Sequence, residues 1–379
     1  MKKKPKILIL GAYGQSNIGD DMMLDVVLSF LRSNGFGNIV VNSSNPEDTR
    51  NMFDVVSFHT SIKKNILKAL YHFLTAKIII YGGGSLLVEL RMNQMMGSRT
   101  PLYRAFLINL FSMFTNKKTI FCGVGVEEVS SKLSVQLIKL IIRTCSFCYV
   151  RDSLSYKILE NYHCDMQKVS VGGELALLLG TPSRRRDRLY INSKLGIMRI
   201  CILPVYRIID FDNNYENYVK TLREYKDYYS NLGKTVEFYP MQLYRNDVNN
   251  DTRVISDILG SNVSPDMFKN HTHSDFLNYL SEFDLILSSR YHGIVSATVL
   301  NIPSISITNF KKNVGFLNDM SLPELSLTSS FSLSDITHLT DLIDRHYSEY
   351  GDLIFKNKNL LKKEVSNMLD EIVENYLKC

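Results

Sequence analysis

The stretch Phe283-Asp-Leu-Ile-Leu-Ser-Ser-Arg-Tyr-His-Gly-Ile-Val-Ser-Ala-Thr-Val-Leu-Asn-Ile-Pro-Ser-Ile-Ser-Ile307 decides the fold of this chain. Leu285, Ile286 and Leu287 form a short apolar run of the kind buried on both faces of a parallel sheet. Ile294 to Leu300 reads as a helix of small and apolar residues, stopped by Asn301 and Pro303, and Ser304 to Ile307 starts the next strand. This is a compact βαβ unit. Its first strand ends at Ser288-Ser289-Arg290-Tyr291-His292-Gly293, and open α/β sheets bind ligands beyond the carboxyl ends of their strands. With Gly293 near the helix start, the amides of the first turn form an anion site. Arg290 adds a permanently charged fork suited to carboxylate or phosphate, and His292 gives and takes a proton near neutral pH. The expectation is an anion cradle beside an acid–base group.

The same grammar extends toward the N-terminus. Lys6 to Leu10 is a strand that runs into Gly11-Ala-Tyr-Gly-Gln-Ser-Asn-Ile-Gly-Asp-Asp21, followed by a helix from Met22 to Leu31. Strand, glycine loop, helix is the opening of a nucleotide-type or phosphate-type α/β domain, but the spacing Gly11, Gly14, Gly19 is not GxGxxG and no Gly-Lys-Ser/Thr follows, so the nucleotide fingerprint is weak. Gly14, Asn17, Asp20 and Asp21 stand at the sheet's functional edge and suit sugar hydroxyls; Asp20 reads equally well as a helix cap. Lys77 to Tyr81 is a strand ending in Gly82, Gly83, Gly84 and Ser85, where a ligand or another backbone approaches closely. Thr119 to Val126, Cys148 to Asp152 and Val169 to Gly173 repeat the strand pattern, and Arg151-Asp152 reads as a local ion pair or cap. Ile62 to Leu74 reads as an amphipathic helix with Ile66, Leu67, Leu70 and Phe73 inward, and Leu102 to Phe114 is the most apolar helix.

Residues Thr181 to Gly196, with the run Arg184-Arg-Arg-Asp-Arg188, mark a domain boundary. A second α/β series starts at Ile197, Ser334 caps a late helix, and the last helix runs from about Phe355 to Leu377. The fold expected is α/β, with two Rossmann-like doubly wound domains at 1–180 and 197–350 and a C-terminal helix at 351–379. Two such domains facing each other would gather the glycine loops, Arg290 and His292 around one cleft.

Composition narrows the function. The chain has 379 residues, 45% hydrophobic and 22% charged, with a formal net charge of +6. A mildly basic protein fits anionic substrates or a negatively charged membrane surface. The absence of one long basic tract argues against nucleic acid. Cys145-Ser-Phe-Cys148 lacks the second pair that a zinc site needs, so these read as buried structural thiols. His271 and His273 read as a solvated turn. No ligand cluster has convincing spacing, so neither a metal nor a cofactor is expected. No segment approaches the ~20 apolar residues of a membrane span, so a cytoplasmic protein is expected, with peripheral contact at the inner membrane face.

Five pieces of the chain, in this order, resemble the polysaccharide pyruvyl transferase family: Gly11 to Asp21, Gly82-Gly-Gly-Ser-Leu-Leu87, Val150-Arg-Asp-Ser-Leu-Ser155, Tyr239-Pro-Met-Gln242 with Asp247, and Ser289-Arg-Tyr-His-Gly293 through Ala297 to Pro303. The resemblance implies a GT-B-type arrangement and transfer of pyruvate from phosphoenolpyruvate onto two hydroxyls of a sugar, closing a cyclic ketal on a bacterial surface polysaccharide such as capsule or exopolysaccharide. It places Arg290 and His292 at the phosphoenolpyruvate site and adds Lys312. The implied acceptor is a lipid-linked oligosaccharide, and a homo-oligomer is compatible with it. Val126-Glu127-Glu128, Gly173-Glu-Leu-Ala176 and Asn309-Phe-Lys-Lys312 depart from the family's usual residues and are consistent with a different acceptor. Two other functions stay open on the sequence: a GT-B glycosyltransferase using a nucleotide sugar, and a non-catalytic saccharide-binding subunit.

Overall fold

The computed structural model describes residues 4–59, 66–92, 96–182, 196–206, 214–243, 250–268, 271–308, 310–328 and 330–378. The arginine run at 184–188, Asp247, Asn309 and Cys379 lie outside the described residues. The chain divides into two compact units: Met1–Gln15, Asp20–Leu178 and Leu361–Cys379 form the first, and Ser16–Gly19 with Leu179–Leu360 form the second.

In chain order the first unit holds β1 (Ile7–Leu10), most of α1 (Ile18–Ser33), β2 (Ile39–Ser43), α2 (Pro46–Phe53), β3 (Val56–His59), α3 (Ile66–Thr75), β4 (Ile78–Gly82) and β5 (Ser85–Leu87). It continues with β6 (Leu90–Met92), β7 (Met96–Ser98), α4 (Thr100–Phe114), β8 (Lys118–Val126), α5 (Lys132–Thr144), β9 (Phe147–Val150), α6 (Ser153–Asn161) and β10 (Val169–Val171). Its sheet has the order β10-β9-β8-β4-β1-β2-β3, with β5 on β8, and every pairing is parallel. Runs such as Ile7-Leu-Ile-Leu10 and Ile78-Ile-Ile-Tyr-Gly82 are buried along their whole length, as sheets covered on both faces require. From β1 the chain moves one way through β2 and β3, then returns and moves the other way through β4, β8, β9 and β10. The strand order therefore reverses between β1 and β4.

The second unit holds β11 (Arg199–Leu203), α7 (Tyr215–Asn231), β12 (Thr235–Phe238), α8 (Asp251–Leu259), α9 (His273–Leu280), β13 (Leu285–Ser288), α10 (Tyr291–Val299), β14 (Ser304–Ile307), α11 (Lys311–Asp319), β15 (Ser326–Leu327), α12 (Leu333–Arg345) and most of α13 (Tyr347–Ile372). Its parallel sheet has the order β12-β11-β13-β14-β15. Here the order reverses between β11 and β13. The opening stretch of the sequence is thus β13–α10–β14, the centre of the second sheet.

The fold class read from the sequence stands: two parallel α/β sheets alternate strand and helix. Several details differ. α1 begins at Ile18, not Met22, so Asp20 and Asp21 fall inside its first turn and Asn17 precedes it. Asp20 is therefore not the cap. Ser332, not Ser334, caps α12, through a reciprocal box with Asp335. α13 begins at Tyr347, ahead of the expected Phe355. On α3 only Phe73 of the four residues expected inward packs on the core, beside buried Ala69 and His72; Ile66, Leu67 and Leu70 are exposed. Arg151 and Asp152 form the expected buried ion pair, 2.8 Å, and Asp152 also caps α6 by accepting from the Ser155 amide. Cys122, Cys145, Cys148 and Cys201 are buried free thiols and Cys164 is half-buried.

Candidate active site

In the second unit the site grows from the carboxyl ends of β11, β12 and β13. Ser288 ends β13, and its hydroxyl accepts the Arg290 amide at 3.0 Å and donates to the Arg290 carbonyl at 2.8 Å. This tight turn makes Arg290 the residue before α10. The amide of Gly293 returns to the Arg290 carbonyl at 3.0 Å. A Cβ on Gly293 would meet Ser288 Oγ at 2.1 Å, so no side chain fits between helix and strand end. The expected free-amide cradle is in part spent on this turn.

Arg290 is held in one pose. Its Nε donates to Asp251 Oδ2 at 3.0 Å, its Nη1 to Gln242 Oε1 at 2.9 Å, and its Nη2 to Asp251 Oδ1. One N–H on Nη1 and one on Nη2 lie outside these three bonds. Asp251 is fully buried and also accepts the amides of Tyr206, Met241 and Gln242, so one carboxylate ties together the chain beyond β11, β12 and β13. Asp251 is the residue that the sequence reading missed. It looks like an ordinary acidic residue in the first turn of α8, and its partner lies 39 residues away.

The segment Ser16–Gly19 belongs to this unit. Asn17 bridges Gln242 in antiparallel fashion, and the Ile18 amide donates to the Met241 carbonyl at 3.2 Å. Asn17 Oδ1 accepts the Gly19 amide at 3.2 Å. A Cβ on Gly19 would stand 2.1 Å from His292 Nδ1 and 2.8 Å from its Cβ, so the Nδ1–Cγ side of the imidazole packs directly on backbone at this point. Tyr291 meets the His292 ring edge-on, with centroids 5.1 Å apart. Asn17, Arg290, His292 and Gly293 are thus brought together. Lys312 stands in the first turn of α11, and one of its contacts is with the Phe310 ring, 5.6 Å from Nζ.

Gly19 makes a direct test of this packing. Gly19→Ala should push the imidazole out of place and lower turnover by about 10²-fold, the scale expected for a misplacement near 1 Å. Gly37→Ala, where nothing lies within 4 Å of the new Cβ, is the matched control. Equal turnover in the two variants would show that the pose of His292 is unimportant.

In the first unit a second group forms at the carboxyl ends of the paired strands β1 and β4. The Tyr13 hydroxyl donates to the Gly82 carbonyl at 2.9 Å, and Met23 Sδ stands 2.4 Å from where a Cβ on Gly83 would be. Close packing accounts for these two glycines. Gly84 differs: a Cβ there would stand 3.4 Å from Asp20 Oδ1, an ordinary contact, so its φ of 78° and not crowding is what favours glycine. Burial, with the neighbouring Asp20 charge, pushes the Asp21 carboxyl up to about 8. It is therefore largely protonated at neutral pH and able to donate a hydrogen bond. Ser85 begins β5, opposite Gly125. Gly14 packs on Ser43 and Asn45 at the end of β2, a turn position. Among the described residues no three His, Cys, Asp or Glu side chains gather as metal ligands.

Each sheet thus carries its polar group at the carboxyl edge where its strand order reverses, the position at which open α/β sheets bind ligands. Solved structures of the same class of fold span the whole chain. S. aureus MnaA in a co-structure with UDP matches with 12% identity and a TM-score of 0.63, covering 99% of this chain and 98% of that one. UDP-GlcNAc 2-epimerase from Neisseria meningitidis, bound to UDP-GlcNAc, matches with 14% identity and a TM-score of 0.59, over 99% and 100%. Anabaena HepE in complex with UDP matches with 11% identity and a TM-score of 0.57, over 99% and 100%. At such identities the likeness defines the fold alone. No curated protein matches the sequence. The family model for polysaccharide pyruvyl transferases matches residues 17–311, and the chain belongs to that family. The matched segment runs from Asn17 through the Arg290–His292 turn and ends one residue before Lys312.

Proposed function

We propose that this protein transfers pyruvate from phosphoenolpyruvate to two hydroxyls of a sugar, forming a cyclic ketal on a lipid-linked oligosaccharide bound for a surface polysaccharide. The observation that carries this reading is Arg290, locked by Asp251 and Gln242 two residues ahead of His292 inside the family-matched segment. The two N–H groups left on Arg290 meet the donor's anionic oxygens, and Lys312 adds charge. Because Asp251 offsets much of the Arg290 charge, the fork serves orientation more than net attraction. His292 donates a proton to the methylene carbon while one sugar hydroxyl attacks the adjacent carbon. The carbon–oxygen bond to phosphate then breaks and the second hydroxyl closes the ring. The two hydroxyl protons balance the step: one replaces the proton given to the new methyl group, the other leaves with phosphate. Asp20, Asp21, Gly84 and Ser85, at the carboxyl edge of the first sheet, offer polar groups to sugar hydroxyls, as Asn17 does in the second unit. The protonated Asp21 carboxyl donates a hydrogen bond to a sugar oxygen.

The decisive experiment is phosphate release from phosphoenolpyruvate across a panel of lipid-linked and synthetic glycans. Release that depends on a glycan supports the reading; no release with any member sinks it. The structural neighbours solved with UDP favour one competing reading, a nucleotide-sugar enzyme. Calorimetric binding of UDP-GlcNAc in preference to phosphoenolpyruvate would decide for it.

A further inference from the structure

The crossovers of the first unit separate its helices. The moves β1 to β2 to β3 run opposite to β4 to β8 to β9, and right-handed crossovers therefore put α1 and α2 on one face and α3, α4 and α5 on the other. Buried side chains agree: Ala69 of α3, Leu102 and Ala105 of α4, and Leu137 and Ile141 of α5 share one core cluster with Ile79 and Phe121 of the sheet. α3 and α4 feed adjacent strands, and Lys117 Nζ donates to the carbonyls of Leu74 and Ala76 at 2.9 and 2.6 Å, docking the end of α3 beside the end of α4.

The outer surface of this layer is unusual in two ways. First, it is apolar. Leu67, Leu70, Tyr71 and Leu74 make one stripe on α3, and Leu107 and Phe114 lie on α4; Leu67 and Phe114 are each 78% exposed. Second, three of its helices carry no acidic side chain, and the nearest on a helix of this layer is the exposed Glu160 of α6. About one residue in ten of the chain is Asp or Glu, 38 of 379, yet α3, α4 and α5 contain none. They carry Lys68, Arg104, Lys132, Lys139 and Arg143 instead.

We propose that the α3–α4–α5 face docks on an anionic lipid bilayer. Aliphatic and aromatic side chains sink into the headgroup boundary while the surrounding lysines and arginines meet lipid phosphates. A second copy of this chain fits less well, because a self-complementary interface would set the lysines and arginines of α3, α4 and α5 against each other with no acidic residue on those helices to pair them. The inference does not rest on the donor chemistry, so either reading can fail without the other.

The test is co-sedimentation of the full chain with vesicles of phosphatidylcholine containing one quarter phosphatidylglycerol, against vesicles of phosphatidylcholine alone, at low salt. The wild type should bind the anionic vesicles at least tenfold more tightly. The triple variant L67E/L70E/F114E alters only exposed positions and should keep its circular dichroism and urea midpoint while losing more than tenfold of that binding. Failure of the wild type to prefer anionic vesicles would overturn the proposal. So would undiminished binding by the triple variant, or a solution dimer that the triple variant dissociates.

Discussion

Asp251→Ala should destabilise the protein by about 3–5 kcal/mol, the usual cost of removing one member of a buried ion pair. The carboxylate is wholly buried, and its loss strips Arg290 of its counter-charge and three backbone amides of their acceptor. A urea titration measures the cost directly. Asp251→Asn should lose less in packing but still fail, because its amide nitrogen would point N–H groups at donors on one side. If the destabilisation arises from an orphaned charge, Asp251→Ala combined with Arg290→Met should recover part of it. A single variant within about 1 kcal/mol of wild type would show that the carboxylate is not the fastener inferred here.

His292→Ala should lower glycan-dependent phosphate release by about 10²–10⁴-fold, the range typical of a lost general acid. Its unfolding midpoint, read in the same urea titration, should fall far less than that of Asp251→Ala, which strips one side-chain charge and three backbone amides of their partner. His292→Gln keeps a hydrogen-bonding side chain of comparable reach without the proton chemistry and should be equally inactive. Turnover near wild type in both variants would remove His292 from the reaction.

The sheets were legible in the sequence because parallel strands buried on both faces are written as plain apolar runs, as at Ile78-Ile-Ile and Leu285-Ile-Leu287. The starts of α1 and α10 were less so. Asp20, Asp21, Tyr291 and His292 are polar or amphipathic residues in first turns, where apolar periodicity has not begun. Orientation was harder still. Ile66, Leu67 and Leu70 make a sound helical stripe, but periodicity reports that a stripe exists and not which side meets the core. At the candidate site, Arg290 and His292 stood out because their position at a strand end is local. Asp251, Gln242 and the Gly19 contact with His292 depend on tertiary proximity, and no spacing within one segment encodes it.

The buried thiols have a practical use. Only the thiolate reacts with alkylating reagents, and burial pushes Cys122 and Cys145 each up to about 12 and raises Cys148 and Cys201 well above the ordinary thiol range. Cys122 and Cys148 sit in strands of the first sheet and Cys201 in the second. Short iodoacetamide pulses along a urea series, read peptide by peptide in a mass spectrometer, should therefore leave each thiol unmodified until its own sheet opens. The wild-type chain carries a separate chemical clock for each sheet, with no label added.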